Sequence, residues 1–308
     1  MILGVVEIEY FYLNAPSNTN PLKFSKIIAG VMTWGSWGKQ LSTSQMQELI
    51  KHCLDLGITT FDHADIYGAY STEQAFGAAI SEMQLPREHY QLISKCGIQY
   101  VCDARDNRVK HYDYSKDYII WSVEQSLNNL QSDYLDLLLL HRPSPLMVAE
   151  EIAEAVDILK KEGKIRAFGV SNFNSSQMDL IGFRTDVFYN QVEFSLTQHK
   201  AMQDGTFDYM MSNGIGVMSW SPLGSYFRES SEQTNRIQSV ITELCQKYNA
   251  TADQLLLAWI MRHPIGVHPV IGTTTPERIK MAKAAQDIHL ELEDWFSLLV
   301  ASQGQKVP

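Results

Sequence analysis

The sequence predicts a single (β/α)8 barrel, the closed TIM-barrel form of the α/β class. Three observations point there. Short apolar runs alternate with amphipathic segments, eight times over. No Pro/Gly/Ser-rich linker is wide enough to split the series. A length of 308 residues is long for an ordinary domain but usual for one such barrel.

The elements follow in order. A strand is expected over residues 26–32. Ser42 with Gln45, or Ser44 with Gln47, forms a capping box. Met46, Leu49, Ile50, Cys53 and Leu54 then trace one helical face, which Gly57 ends. A strand over 58–61 leads to a helix capped at Ser71 or Thr72. A strand over 90–96 is followed by a long polar loop, 100–114, expected to help shape a pocket. Ile119, Val123, Leu127 and Leu130 have core-facing helical spacing. A strand over 134–140 and a helix over 149–161 come next. The pattern continues with strand 165–170, helix 175–181, strand 187–192 and a weaker helix at 207–211. Strand 216–219 precedes a polar loop and two helices, 232–248 and 251–262. Strand 268–272 leads to a helix opened by Pro276, and a last amphipathic helix covers about 290–300. The barrel proper thus spans about 26–286 of one domain, 1–308. Residues 5–13 alternate weakly ahead of the series and are expected to cover the barrel bottom.

Composition narrows the class. A hydrophobic fraction of 45% with 19% charged residues suits a globular protein with a sizeable core. A net charge of −10 argues against nucleic acid, whose phosphates need a basic footprint. No apolar run is long enough to span a bilayer, so no membrane partner is expected. The N-terminus meets Glu7 and Glu9 at once and lacks a basic n-region, unlike a signal peptide. Cys53, Cys96, Cys102 and Cys245 show no CxxC or Cys/His metal spacing. They read as reduced thiols of a cytoplasmic protein. His63 and Asp65 lack a third ligand at a sensible spacing, so no metal is expected.

The chemistry lies where apolar runs end. Asp62 closes one run, and Tyr67 stands five residues on; Lys95 and His141 close the next two. Successive strand ends of a barrel face one mouth, so these four groups can converge. An ammonium near a phenol favours phenolate, a carboxylate holds the ammonium in place, and an imidazole can orient a carbonyl. The set suits protonation of an oxygen as negative charge develops on it. Taken singly, each residue has a structural explanation: an exposed strand-end lysine, a satisfied core histidine, a loop-capping aspartate, a packed tyrosine. Their joint occurrence at consecutive strand ends favours the functional reading.

In these four residues and their spacing the sequence resembles the aldo-keto reductases. The family's Asp–Tyr–Lys–His tetrad falls on Asp62, Tyr67, Lys95 and His141. Further family motifs follow in order: Ser171-Asn172-Phe173, Asn190-Gln191, the run from Trp220 to Ser225, and Gly272-Thr273-Thr274 with Pro276, Glu277 and Arg278. The resemblance implies NADP(H)-dependent reduction of aldehydes or ketones, with Tyr67 as general acid, Lys95 and Asp62 tuning it, and His141 positioning the carbonyl. It implies that Ser171, Asn172 and Gln191 hold the nicotinamide carboxamide and that Trp220 stacks on its ring. Ser221, Leu223 and Ser225 would contact the pyrophosphate. Thr273, Thr274 and Arg278, with Gly272 before them, would meet the adenosine 2′-phosphate. Thr33 and Trp34 complete the expected cofactor set. Two departures leave NAD(H) as the alternative cofactor: Gly272-Thr273 stands where some members carry a lysine, and Ala282 where many read adenine with Asn or Gln.

Trp34, Trp37, Arg142 and Phe173 are the expected substrate-pocket residues. Trp34 and Trp37 follow a strand end near Gly35 and Gly38, which favours pocket walls over packing. Arg142 either steers an anionic carbonyl compound or pairs with a loop carboxylate. Tyr100, Tyr226 and Phe227 lie in loops that could line the site, and the short segment after Val300 adds little to it. The expected partner is a small carbonyl compound, and the protein a monomer or weak homo-oligomer. Two other classes compete: a cofactor-binding redox sensor, and a barrel hydrolase using Ser171 and His141.

Overall fold

The computed structural model describes residues 22–308. Among them, eight parallel strands close into a barrel. These are β1 (Ile28–Gly30), β2 (Thr60–Asp62), β3 (Gln91–Cys96), β6 (Leu135–Leu140), β7 (Ile165–Ser171), β8 (Tyr189–Glu193), β9 (Gly216–Trp220) and β10 (His268–Ile271). Each pairs with the next, and β10 returns to β1 through the register Ile28↔Val270. The connections carry α1 (Thr43–Asp55), α2 (Thr72–Glu82), α3 (Lys116–Leu130), α4 (Ala149–Lys161), α5 (Ser175–Gly182), α6 (Thr206–Ser212), α7 (Glu232–Tyr248), α8 (Ala252–Met261) and α9 (Pro276–Ala284). α10 (Leu292–Gln303) packs beside α7. The segment 5–13, expected beneath the barrel, lies outside the described residues.

Both faces of each strand are buried, which is why the runs read as nearly continuous apolar sequence. Period-two alternation divides them. Ile28, Ile93, Leu137, Leu139, Ala167, Tyr189, Met218 and Val270 fill the barrel interior. Ala29, Phe61, Leu92, Leu138, Leu140, Phe168, Val170 and Val217 face the helices. The interior is crowded at Gly169, where an added Cβ would lie 2.4 Å from the Tyr189 carbonyl and 2.8 Å from Leu139 Cδ2.

Two expectations change. The first strand stops at Gly30 because Trp34 N–H donates to Val31 O, folding residues 31–34 into a turn. The long loop contains a second, two-stranded sheet: β4 (Ile98–Gln99) runs antiparallel to β5 (His111–Tyr112), with Gln99 opposite His111. At the first helix the capping alternatives resolve to Ser42 with Gln45, whose side chains and backbone N–H groups bond reciprocally. Among the described residues, no helix is long and apolar enough to cross a membrane.

Candidate active site

Strand parity builds the site. On each strand the residue two or four places beyond an interior side chain points the same way. Ile93 thus predicts Lys95, Leu139 predicts His141, Ala167 predicts Ser171, and Tyr189 predicts Gln191. These ends meet at one mouth. Gly30, Asp62, His141, Ser171, Gln191, Trp220, Val270 and Gly272 line a cavity of about 450 Å³ there. Tyr67 enters from the β2–α2 loop, Trp37 from the β1–α1 loop, and Ile98, Tyr100 and Lys110 from the hairpin.

At the centre is Lys95. An ammonium has three protons, and each has an acceptor: Asp62 Oδ2 at 2.7 Å, His63 O at 2.8 Å and Tyr67 Oη at 3.1 Å. The second Asp62 oxygen accepts from Gln191 Nε2 at 2.8 Å. Because the Tyr67 oxygen already accepts from Lys95, its own proton is free to turn toward the cavity. The Tyr67 and His141 rings stand edge to face with centroids 6.1 Å apart. His141 Nδ1 is buried without a partner among the described residues.

Burial opposes the charge on Lys95, yet Asp62 and Tyr67 outweigh it and hold the ammonium above its ordinary pKa. Burial is the largest influence on Tyr67 and raises its pKa; Lys95 pulls it down and Asp62 pushes it back up. The ammonium pulls as the sequence predicts, but enclosure outweighs it, and Tyr67 keeps its proton at neutral pH. Burial, then Lys95, Arg142 and Lys110, drive His141 well below the ordinary imidazole value, so its ring is neutral.

A longer groove of about 940 Å³ adjoins this cavity. Thr33, Ser221, Pro222 and Gly272 line both. Leu223, Thr273, Thr274 and Arg278 also line the groove, with Ala282. Sequence reasoning missed Lys39, Arg228, Asp253 and Leu257 there, and Met32, Ile66 and Lys110 in the cavity. Most of these are loop residues without a periodic signal. Thr33 Oγ1 donates to Gly272 O at 2.7 Å, joining β1 and β10 where the barrel closes.

Four expected positions differ. Trp34 is 1% exposed and lies in the core, edge-on to Phe61 and against Phe76. The turn after β1 curls back over the outer barrel face, so Trp34 lines neither the cavity nor the adjoining groove. Phe173 is also 1% exposed and packs in the core behind β7 and β8. Ser225 lines neither cavity; its N–H donates to Thr197 Oγ1 at 3.0 Å. Asn172 lies behind the cavity wall. Its Nδ2 donates to Ser171 Oγ at 2.7 Å, and its Oδ1 accepts from Trp220 Nε1 at 2.9 Å.

The comparisons with known proteins agree with this architecture. A sequence model described as "Aldo/keto reductase family" matches residues 26–298. The chain is 40% identical over 293 residues to the uncharacterized oxidoreductase YcsN of Bacillus subtilis, covering 93% of this chain and 97% of that protein. It is 34% identical over 294 residues to the 6-dehydroglucose reductase of Agrobacterium fabrum, covering 94% and 98%. Among solved structures it is similar to the thermostable aldo-keto reductase Tm1743, crystallised with the inhibitor epalrestat. There the TM-score is 0.78 with 26% identity, covering 92% of this chain and 97% of that one. The chain belongs to the aldo/keto reductase family and is an oxidoreductase.

Proposed function

We propose that the protein reduces aldehydes or ketones to alcohols with NADP(H), using Tyr67 as general acid. The observation that carries this reading is the use of all three Lys95 protons, which leaves the Tyr67 proton directed to substrate.

The site fits a nicotinamide dinucleotide. Trp220 offers a flat wall, while Ser171 and Gln191 Oε1, which has no hydrogen-bond partner among the described residues, offer polar groups for a carboxamide. Lys39, Arg228 and Arg278 supply cations along the groove for phosphates. When bound, that cofactor supplies the hydride. The protein's part is acid catalysis and positioning. A substrate carbonyl oxygen between Tyr67 Oη and the neutral His141 would accept hydrogen bonds from both. As negative charge develops, Tyr67 passes its proton to that oxygen, and the resulting phenolate is stabilised by the adjacent Lys95 ammonium. Asp62 keeps Lys95 charged and in place, and Gln191 fixes Asp62 in turn. Asn172, tied to both Ser171 and Trp220, would position those two rather than touch the cofactor.

Arg278 favours a 2′-phosphate at the far end of the groove, so NADPH is expected to bind more tightly than NADH. Asp253 in the same lining opposes it and moderates the margin. A small carbonyl compound is the partner this cavity suits.

Tyr67→Phe tests the mechanism. The variant is expected to bind NADPH within about threefold of the wild type. It should lose roughly 100- to 10,000-fold in turnover of an aldehyde, the usual worth of a positioned acid. Unchanged reduction rates would exclude Tyr67 as the acid.

A further inference from the structure

The reacting cavity is cationic in a protein of net charge −10. Its one lining acid, Asp62, is matched by Lys95 directly beneath. Two further cations, Lys110 and Arg142, line the same cavity. Neither has a carboxylate partner within 4.0 Å among the described residues. Arg142 is half-buried, with its guanidinium 5.3 Å from the Trp220 ring centroid. Arg87, also partly buried, shows what a structural arginine does here: it bonds Ser132, the Tyr90 and Tyr134 carbonyls, and Asp136. Removing a cation from water without compensation is costly. Glu193 acts on Arg142 only from beyond ion-pair distance, so the guanidinium has room for an anion that comes and goes.

The backbone segments that carry the two cations are tied together, while Lys110 itself is exposed. Continuing the hairpin register by one step toward its loop sets Lys110 opposite Tyr100, and both line the cavity. Tyr114, just after β5, stitches this hairpin to the loop after β6: its hydroxyl donates to Arg142 O at 2.5 Å and accepts from Arg142 N–H at 3.1 Å. Both charges reach the reacting end, since Arg142 and Lys110 contribute to the depressed basicity of His141. They are also separate from the cations of the cofactor groove, Lys39, Arg228 and Arg278.

We propose that this site takes carbonyl compounds bearing an oxyanion, a carboxylate or a phosphate, which Lys110 and Arg142 bind beside the reacting C=O. The proposal rests on the reductase reading above and narrows its substrate class. The reaction is otherwise the same: hydride to the carbonyl carbon, the Tyr67 proton to its oxygen, and the oxyanion unchanged.

The test compares 4-carboxybenzaldehyde and 4-formylphenyl phosphate with the neutral methyl 4-formylbenzoate. Each is reduced by the full-length protein at saturating NADPH, followed by the cofactor's absorbance. At least one anionic aldehyde should exceed the ester roughly 10- to 100-fold in kcat/KM, mainly through KM, as charge-assisted hydrogen bonds of ordinary strength would give. Which of the two leads identifies the anion. In Lys110→Gln/Arg142→Gln the preference should fall below about threefold, whatever the absolute rates. An ester turned over as well as both anions overturns the proposal, as does a preference that survives in the double variant. Loss of all turnover would count against the reductase reading alone. The anion site is then decided by quenching of tryptophan fluorescence in the NADPH complex with benzoate and with benzamide. Benzoate binding about tenfold tighter, and lost in the double variant, sustains it; equal binding overturns it.

Discussion

At the scale of single residues, the buried Lys95–Asp62 pair does two tasks, and their costs can be separated. Both side chains are almost fully buried and bonded at 2.7 Å. Lys95→Met leaves a carboxylate in the barrel with only Gln191 for a partner. The expected loss is about 3–5 kcal/mol in urea unfolding, the usual cost of orphaning a buried charge. The double change Asp62→Asn/Lys95→Met should be less destabilised than Lys95→Met alone, while turnover stays lost in both. A double variant worse by the full sum would mean the pair is not coupled. His63 offers a pH prediction. Burial first, then Lys95, depresses its pKa from 6.5 to about 3. Neither ring nitrogen has a partner among the described residues, and the ring sits edge-on to Phe76 at 4.4 Å. Because the folded value is depressed, the unfolded chain binds the extra proton between 6.5 and about 3. His63 therefore costs no stability above 6.5 and costs progressively more as pH falls through that window. His63→Leu removes this cost. The difference in unfolding free energy between variant and wild type should move in the variant's favour by about 2 kcal/mol from about pH 7 to pH 5. Taking the difference cancels Asp65 and Glu73, whose pKa values burial raises and whose effect on stability has the opposite sign. A flat difference would show that His63 is not held neutral. Of the residues around these two, Asp62, Lys95 and His141 were legible because strand parity fixes where they point. Trp34 was not, since a turn that curls back over the barrel has no signature in spacing.

At the scale of elements, the hairpin after β3 is the part that sequence periodicity could not show. Strands of two residues are too short to alternate, and the connection between them lacks the Asn-Gly or Asp-Gly of a tight turn. A lysine in such a stretch looks like any solvated lysine until the register places it opposite Tyr100. Helices with complete apolar faces behaved differently. α4 and α7 fall on 149–161 and 232–248 as their spacing predicts, because more than three turns of periodic sequence average out local noise. The hairpin's anchorage is testable at Gly97. Its φ is +106°, and an added Cβ would lie 1.9 Å from Tyr114 Cε1. Gly97→Ala must strain the backbone and also displace the tyrosine that holds Arg142. A loss of about 2–4 kcal/mol is expected. Tyr114→Phe keeps the ring but leaves the Arg142 N–H and C=O without their hydroxyl partner, at about 1–3 kcal/mol. Thermal unfolding of both variants checks the ranking. Tyr114→Phe proving the more damaging would mean that the hydroxyl bonds, and not the close packing, anchor the hairpin.

At the scale of the whole molecule, the barrel closes only when β10 reaches β1, so the site at its mouth depends on both ends of the described chain. The order of the motifs along the sequence made that closure legible, because seven matched strand ends leave little topological freedom. The role of α10 was less legible: its apolar face shows that it packs, but not on what. It packs on α7 and α8. Trp295 stacks on Trp259 at 4.9 Å and 5°, and each indole N–H donates to the other residue's carbonyl, at 3.0 and 2.9 Å. Arg236 on α7 donates to Ala301 O and Ser302 O, and Ser302 Oγ donates to Leu196 O. None of these residues lines the reacting cavity or the adjoining groove. Stability and chemistry should therefore separate at this helix. Trp295→Ala removes the stack and leaves the Trp259 carbonyl without its indole donor, for an expected loss of about 3–5 kcal/mol. For a chain of this size that lowers the Tm by roughly 5–8 °C. Well below the transition, kcat/KM for an aldehyde should stay within about twofold of wild type, because no contact to the tetrad has changed. A parallel fall in activity at low temperature would show that α10 holds the barrel mouth in shape. An unchanged Tm would show that the stacked pair contributes little to the fold.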